Sequence, residues 1–163
     1  MPSPRLSFLL IAWSCGALIA TALYFQHVMG LDPCYLCIVQ RVFVLAVGVI
    51  TFVAFIHNPG ALGRRIYAFS AALAALVGSG FSLRQLWLQN LPEELVPTCG
   101  PPAEYLFEKF PVDKWLPMLL QGSGDCARVD WTFLGVSIAG WMLFCFWLLA
   151  LFAFWQGLRR QPR

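Results

Sequence analysis

The sequence is poor in charge. Only 12% of its 163 residues are Asp, Glu, Lys or Arg, whereas an ordinary soluble domain carries about a quarter. Hydrophobic residues make up 60% of the chain, which argues against a water-soluble globule. The net charge of only +3, from scattered basic residues, also argues against a nucleic-acid-binding protein. The composition therefore predicts a small integral membrane protein.

Several common motifs are also missing. The chain has neither a glycine-rich loop for phosphate nor the His-Glu pattern of a metalloprotease. A c-type haem site needs His directly after a Cys-X-X-Cys pair, but Ile38 follows Cys37. A four-thiolate zinc site would need a second close pair, and 26 residues separate Cys99 from Cys126. We therefore expect no metal site.

Long hydrophobic runs are the main feature that is present. Four stretches, at about residues 6–25, 35–56, 66–88 and 132–155, are long enough to cross a bilayer as helices. Arg41 and Arg84 are the only charged residues within them. We predict an all-α membrane protein, a four-transmembrane-helix bundle that forms a single domain over residues 1–163. The first run could instead be a cleaved signal peptide, but its length and unbroken continuation favour a retained helix.

Basic residues predict the orientation. Six flank the side shared by both termini and the connection between the second and third runs, and three lie on the opposite side. The two groups are Arg5, Arg64, Arg65, Arg159, Arg160 and Arg163, and then Lys109, Lys114 and Arg128. Because cytoplasmic segments carry the excess of Lys and Arg, we expect both termini in the cytoplasm, in a bacterial inner membrane. Loops 26–34 and 89–131 would then face the periplasm.

The longer outer loop is rich in proline and is predicted to be largely irregular. Its stretch 112–120 mixes Trp115, Leu116 and Met118 with Asp113 and Lys114. That mixture is typical of a segment lying along lipid headgroups. A hydrophobic loop packed on the bundle explains the stretch equally well, and Pro117 disfavours a long helix here.

The six cysteines divide into two groups by position. Cys15 and Cys145 fall in the middle of spans, where a thiol usually serves as a small apolar packing residue. The other four lie on the outward side, in a compartment that permits disulfides. They are Cys34, Cys37, Cys99 and Cys126. Four cysteines allow three pairings, and the residues themselves do not choose between them.

The Cys34-Tyr35-Leu36-Cys37 pair is predicted to occupy the first turn of the second helix. A helix N-terminus stabilises a thiolate, and Cys-X-X-Cys pairs commonly have lowered thiol pKa values. Thiolate is the form that attacks disulfides. The pair is therefore a candidate redox centre rather than a structural bridge, since its very short loop would constrain the unfolded chain little.

Arg41 falls on the same helix face as the two cysteines, about 6 Å deeper than Cys37. An arginine within a span is a candidate for function. Its guanidinium suits a carbonyl oxygen that becomes an oxyanion, as a lipid-soluble quinone provides. The alternative is that Arg41 extends to the outer headgroups, which is also our expectation for Arg84.

These residues resemble those of a known family. Phe25-Gln26-His27-Val28-Met29, Pro33-Cys34-Tyr35-Leu36-Cys37 and Arg41 look like the corresponding segments of the DsbB family of bacterial inner-membrane proteins. The later segments Asp113-Lys114-Trp115, Ser123-Gly124-Asp125-Cys126 and Phe133-Leu134-Gly135 do so too. The resemblance covers nearly the whole chain.

The resemblance implies a membrane thiol:quinone oxidoreductase. Such a protein reoxidises the soluble dithiol oxidase DsbA and passes the electrons to ubiquinone or menaquinone, the established system that keeps the periplasm oxidising. Carried onto this chain, it implies that Cys99 forms the mixed disulfide with the partner and that Cys126 is its disulfide mate. Cys126 would then exchange with Cys34, freeing Cys37 to engage the quinone that Arg41 holds.

Some members of that family carry a histidine near the end of the third span, where this chain has Leu88-Gln89-Asn90. A histidine-assisted quinone step is therefore not expected here. Two rival functions stay open at this point. One is a vitamin K epoxide reductase-like enzyme, although there the Cys-X-X-Cys follows the loop pair. The other is a non-catalytic membrane subunit whose disulfides brace its loops.

Overall fold

The computed structural model describes residues 3–159 and is dominated by four long helices. They are α1 (Pro4–His27), α2 (Tyr35–His57), α3 (Ala61–Gln89) and α6 (Ile138–Leu158). Each of the four is long and apolar enough to cross a membrane. The predicted class, an all-α membrane protein with four transmembrane helices, is confirmed. Arg160 and Arg163, which we counted toward the orientation, lie outside the described residues.

Polar side chains begin the first and last of these helices. Ser3 caps α1 by accepting a hydrogen bond from the Leu6 amide, and Pro4 follows in the first turn. Ser137 caps α6 in the same way, by accepting from the Gly140 amide. Such caps satisfy amides that no helical carbonyl can reach. The two serines therefore mark the residues at which α1 and α6 begin.

Helix α3 packs along both α2 and α6, and α1 packs along α2. Small residues allow the closest approach, as at Gly78, where a Cβ would collide with the ring of Phe146. Alanines 71, 72, 75, 150 and 153 line the same core. Close approach of backbones through small side chains is the usual way in which helices associate in lipid.

Two helices begin away from the edges of the hydrophobic runs. Helix α3 begins at Ala61 rather than near residue 66. Its first turns contain Arg64 and Arg65, because a helix can extend beyond the hydrocarbon where charged side chains reach the membrane surface. Helix α6 begins at Ile138 rather than near residue 132. A small antiparallel hairpin, β1 (Thr132–Phe133) and β2 (Val136–Ser137), precedes it. Its turn is formed by Leu134 and Gly135, both with positive φ. A right-handed helix cannot include this backbone conformation, so α6 cannot begin before the hairpin.

The segment between α3 and the hairpin folds over one end of the bundle. It contains two short helices, α4 (Ala103–Lys109) and α5 (Val112–Gln121), and 3-10 turns at Glu93–Leu95 and Gly124–Ala127. Leu106 and Leu119 are buried against the ends of α2 and α3. Helix α5 contains Pro117 and leaves Leu116 exposed, so it packs on the bundle with one face only.

Candidate active site

The Cys34–Cys37 pair lies at the start of α2, as predicted. Cys34 is the N-cap residue of α2, and Cys37 lies in its first turn. The two sulfurs are 2.9 Å apart, and both residues are free thiols. Cys34 has extended backbone and so stands at the margin of the helix, whereas Cys37 lies one turn deeper.

Cys126 is brought to the same helix start from the far end of the outer segment. It is fully buried among residues of α2, α3, α4 and α5. The Cys34 thiol and the Leu36 amide both hydrogen-bond to its sulfur. These contacts, the Cys34 thiol above all, lower the pKa of Cys126 from 9.0 to about 6, although burial opposes them. The amide at the start of α2 therefore stabilises a cysteine from another part of the chain.

Cys34 occupies the central position among the three sulfurs. Its thiol hydrogen-bonds to Cys126 and to Cys37. These two contacts, followed by burial, raise the pKa of the Cys34 thiol well above its ordinary value. Cys34 is therefore held as the protonated member, next to both sulfurs with which it could form a disulfide.

Two loops are held together where Cys126 enters the site. The Gly124 amide donates to the Thr98 carbonyl at 3.2 Å, and a Cβ at position 124 would collide with the Pro97 carbonyl. Tyr35 anchors the same region by donating its hydroxyl to the Pro101 carbonyl. Glycine at position 124 is therefore required for the close approach of the Cys99 and Cys126 segments.

Cys99 differs from the other three outer cysteines because it is exposed. It hydrogen-bonds to the Asp125 carboxylate, and that contact together with the negative charge raises the pKa of the Cys99 thiol. Its side chain is open to a soluble partner, whereas Cys126 is not. The structure thus brings Cys34, Cys37 and Cys126 into one cluster and leaves Cys99 at the adjoining surface.

Gln85 is a site residue that the sequence reasoning missed. Its Nε2 lies 3.4 Å from the sulfur of Cys34 and 3.4 Å from that of Cys37, and its side chain is buried. Gln40 donates to Gln85 Oε1 at 2.8 Å, which turns the amide nitrogen toward the sulfurs. Two buried amides facing each other within apolar helices are a signal that sequence inspection could have used, because such groups need partners in lipid.

Arg41 points at helix α1. It donates to Gln26 Oε1 at 2.5 Å and to the Ala22 carbonyl at 3.1 Å, and it is half-buried. Gln26 is a second residue that the sequence reasoning did not single out. Arg84, by contrast, lies on the outside of α3 and donates to the Gln121 carbonyl at the end of α5.

A cavity of about 900 Å³ joins these groups. Cys37, Arg41 and Gln85 belong to its polar lining, which also includes the carboxylates of Asp32, Glu104, Asp125 and Asp130, and α1, α2 and α6 contribute apolar side chains. The apolar residues include Leu18, Ile19, Ile38, Val44 and Met142. Its size and mixed lining are those of small-molecule sites.

Comparison with known proteins gives a consistent result. The family model described as disulfide bond formation protein DsbB matches residues 4–156. A disulfide bond formation protein B of Saccharophagus degradans is 49% identical over 160 residues, covering 98% of this chain and 96% of the relative. Another, of Methylococcus capsulatus, is 50% identical over 156 residues, covering 96% and 95%. One of Stutzerimonas stutzeri is 45% identical over 161 residues, covering 99% of each.

Proposed function

This chain belongs to the DsbB family of membrane disulfide-generating oxidoreductases, and we propose that it carries electrons from a DsbA-like periplasmic dithiol to a membrane quinone. The observation that carries the proposal is the position of Cys34. Its sulfur contacts Cys126 on one side and Cys37 on the other. Cys37 and Arg41 in turn line the cavity of mixed polar and apolar character.

The first exchange takes place at the surface. A thiolate of the reduced partner attacks the exposed sulfur of Cys99 in a Cys99–Cys126 disulfide, and Cys126 leaves as thiolate. The Leu36 amide, which hydrogen-bonds to the Cys126 sulfur, favours this direction because a donor stabilises the departing thiolate. The second partner thiol then attacks the mixed disulfide, which releases the oxidised partner and a reduced Cys99.

The second exchange takes place within the cluster. The Cys126 thiolate attacks Cys34 in a Cys34–Cys37 disulfide, so that a Cys34–Cys126 disulfide forms and Cys37 leaves as thiolate. The Gln85 amide donates toward both members of the bond that breaks. Each exchange moves one electron pair and leaves the number of disulfides unchanged.

The cavity accounts for the acceptor. Cys99 attacks Cys126 in the Cys34–Cys126 disulfide, which restores the Cys99–Cys126 disulfide and releases Cys34 as a thiol beside Cys37. A bound quinone would supply the acceptor for the two electrons and two protons that Cys34 and Cys37 lose as their disulfide forms again. In this chain Cys37 would present the sulfur, and Arg41 would hold a carbonyl oxygen with a guanidinium that Gln26 and the Ala22 carbonyl orient. Ubiquinone and menaquinone both satisfy this chemistry.

We also propose that the sulfur cluster faces the periplasm and that both termini face the cytoplasm of a bacterial inner membrane. The excess of arginine at the end opposite the cysteines supports this orientation. Disulfide exchange with a soluble partner requires an oxidising compartment on the cysteine side.

The test is a turnover assay with the purified full chain, a reduced DsbA-like protein and a short-chain ubiquinone or menaquinone. Quinol should form catalytically, and the loss of quinone absorbance measures its rate of formation. Cys37→Ser should reduce turnover to background, whereas Cys145→Ser, the same change in the middle of α6, should retain it. Undiminished turnover in Cys37→Ser would remove the mechanism.

Arg41→Met sharpens the same assay. The KM for quinone should rise by about tenfold or more, since a hydrogen bond from a charged group contributes about 1.5–3 kcal/mol. Formation of the Cys99 mixed disulfide with the partner should be unaffected. An unchanged KM for quinone, with slower partner exchange, would contradict the role assigned to Arg41.

A further inference from the structure

Arg84 lies beside a residue of the active site but holds a different part of the chain. It directly precedes Gln85 on α3, and the Gln85 amide faces two sulfurs of the cluster. Arg84 Nε donates to the Gln121 carbonyl at 2.9 Å, and its Cζ lies 5.9 Å from the centroid of the Trp87 ring. Two consecutive residues of one helix therefore contact two separate parts of the site.

The carbonyl that Arg84 binds belongs to the last residue of α5. The final carbonyls of a helix have no partner within that helix, and their partial negative charge favours a cation nearby. A hydrogen bond from a guanidinium is also stronger than one between two neutral groups. Arg84 therefore fastens the end of α5 to α3.

The end of α5 and Cys126 are supported by the same residue, Leu36. Gly122 follows α5 with a φ of 79°, and a Cβ there would lie 3.0 Å from Leu36 Cδ1 and 3.2 Å from Leu88 Cδ1. The Leu36 amide hydrogen-bonds to the sulfur of Cys126. The position of the end of α5 is therefore coupled to the position of Cys126.

The short connection between α5 and Cys126 is a hydrogen-bonded turn. Ser123 is buried, and its hydroxyl donates to Asp125 Oδ2 at 3.2 Å. The Cys126 amide donates to the Ser123 carbonyl at 2.9 Å, and residues Gly124–Ala127 form a 3-10 helix. A connection with its own internal bonds passes a displacement at its start on to Cys126.

The two disulfides that Cys126 can form differ in the movement they require. The segments of Cys99 and Cys126 touch where the Gly124 amide meets the Thr98 carbonyl, so both disulfides are within reach. Cys126 already contacts Cys34, whereas a Cys99–Cys126 disulfide must join a buried and an exposed sulfur. A contact shifts an equilibrium by as much as it differs between the two states. Contacts that keep Cys126 at the start of α2 therefore favour its disulfide with Cys34.

We propose that Arg84 is a positioning residue that holds Cys126 against Cys34 through the end of α5. This role rests on the proposed function, because it concerns the two disulfides that Cys126 forms in turn. The two interconvert when the Cys99 thiolate attacks Cys126 in the Cys34–Cys126 disulfide. One sulfur–sulfur bond breaks as the other forms, and Cys34 takes up the proton that Cys99 gives up, so the exchange needs no oxidant.

The test is the ratio of these two disulfides in full-length Cys37→Ser, in which Cys34, Cys99 and Cys126 share one disulfide. The protein is kept without partner or quinone until the ratio is constant. Acid quenching, pepsin digestion and mass spectrometry of the linked peptides then measure it. The Cys34–Cys126 disulfide should predominate. Adding Arg84→Gln should shift the ratio toward Cys99–Cys126 by about tenfold or more, since a hydrogen bond from a charged group is lost.

Three further variants sharpen the assignment. Arg84→Lys should shift the ratio less than Arg84→Gln, because a charged donor remains. Gly122→Ala should shift it in the same direction as Arg84→Gln, because the added Cβ forces the end of α5 away from Leu36. Arg65→Gln, the same change near the other end of α3, is the matched control and should leave the ratio unaltered.

The outcomes separate this role from the proposed function. A ratio that Arg84→Gln leaves unchanged, even with a lower Tm, would overturn the positioning role while the electron transfer stands. An equal shift in Arg65→Gln would overturn it too. If Arg84→Gln does not fold, the ratio in Arg84→Lys decides between the same results. Absence of the Cys34–Cys126 disulfide from Cys37→Ser would overturn both the positioning role and the proposed exchange.

Discussion

Two cysteines of this protein are equally hidden from solvent but differ in what surrounds them. Cys15, in the middle of α1, is 2% exposed and packs among apolar side chains beside Gly48. Cys126 is 0% exposed, yet the Cys34 thiol and the Leu36 amide hydrogen-bond to its sulfur. Burial by itself disfavours a thiolate, whereas hydrogen-bond donors favour it. The difference shows that the ability of a buried cysteine to form a thiolate depends on its hydrogen-bond partners rather than on its exposure to solvent.

The strongest test of this comparison is to remove each of the two sulfurs. Cys126→Ala should reduce partner-driven turnover to background, because the partner's electrons then have no route to Cys34. Cys15→Ala should cost stability through the small cavity that it leaves, visible as a lower Tm, while folded protein keeps its turnover. Equal activity of the two variants would break the comparison.

A second test removes the donor that faces Cys34 and Cys37. Gln85→Leu should lower kcat by about thirtyfold, since two hydrogen bonds of about 1 kcal/mol each are lost. The KM for the partner should stay constant, because Cys99 is untouched. Gln40→Leu is the control that removes only the group orienting Gln85, and its loss of kcat should be smaller. Wild-type kcat in Gln85→Leu would exclude the positioning role.

The protonation of the fully reduced protein follows from the lowered pKa of Cys126. While the Cys34 thiol donates to it, Cys126 is largely thiolate above pH 6 and takes up a proton as the pH falls below about 6. The part of the ultraviolet thiolate absorbance that Cys126→Ala removes should therefore disappear with a midpoint near pH 6. A pH titration of the reduced wild type against reduced Cys126→Ala would measure it. A midpoint near the ordinary thiol value of 9 would show that the donors do not act as inferred.

The smallest expected effect concerns the exposed cysteine. Asp125→Asn removes the negative charge that raises the pKa of Cys99, so Cys99 should react severalfold faster with iodoacetamide at pH 7. Asp130→Asn is the control, because Asp130 pairs with Arg128 at the same surface. Mass spectrometry of the labelled peptide gives both rates. A Cys99 labelling rate that Asp125→Asn does not change would mean that the Asp125 charge is screened by solvent.

Much of the site could be predicted from residue order alone. The position of Cys34 and Cys37 at a helix start follows from the Cys-X-X-Cys spacing and the onset of the hydrophobic run. Cys99 and Cys126 could be assigned to the outer segment by the same reasoning. Gln85, however, is far from these cysteines in sequence and sits within a span, so its contact with their sulfurs depends on how α3 packs against α2.

Helix boundaries were predicted less well than helix number. Hydrophobicity measures how much of a helix can lie in lipid, and α3 continues beyond that limit through Arg64 and Arg65. At the fourth span the error has the opposite direction, because an apolar Phe133-Leu134 pair forms a hairpin instead of a helical turn. The cap at Ser137 was the signal that marks the true beginning of α6.

Residue order by itself determined that this chain has four membrane-length helices, because the length of an apolar run must match the thickness of hydrocarbon. It also determined which four cysteines lie on the outer side, at or beyond the ends of those helices. Only the tertiary structure decided that Cys126 meets the start of α2 and that Gln85 faces two sulfurs. Each of these contacts joins residues that are distant in sequence. Helix packing brings them within hydrogen-bonding distance, and no local sequence pattern encodes that packing.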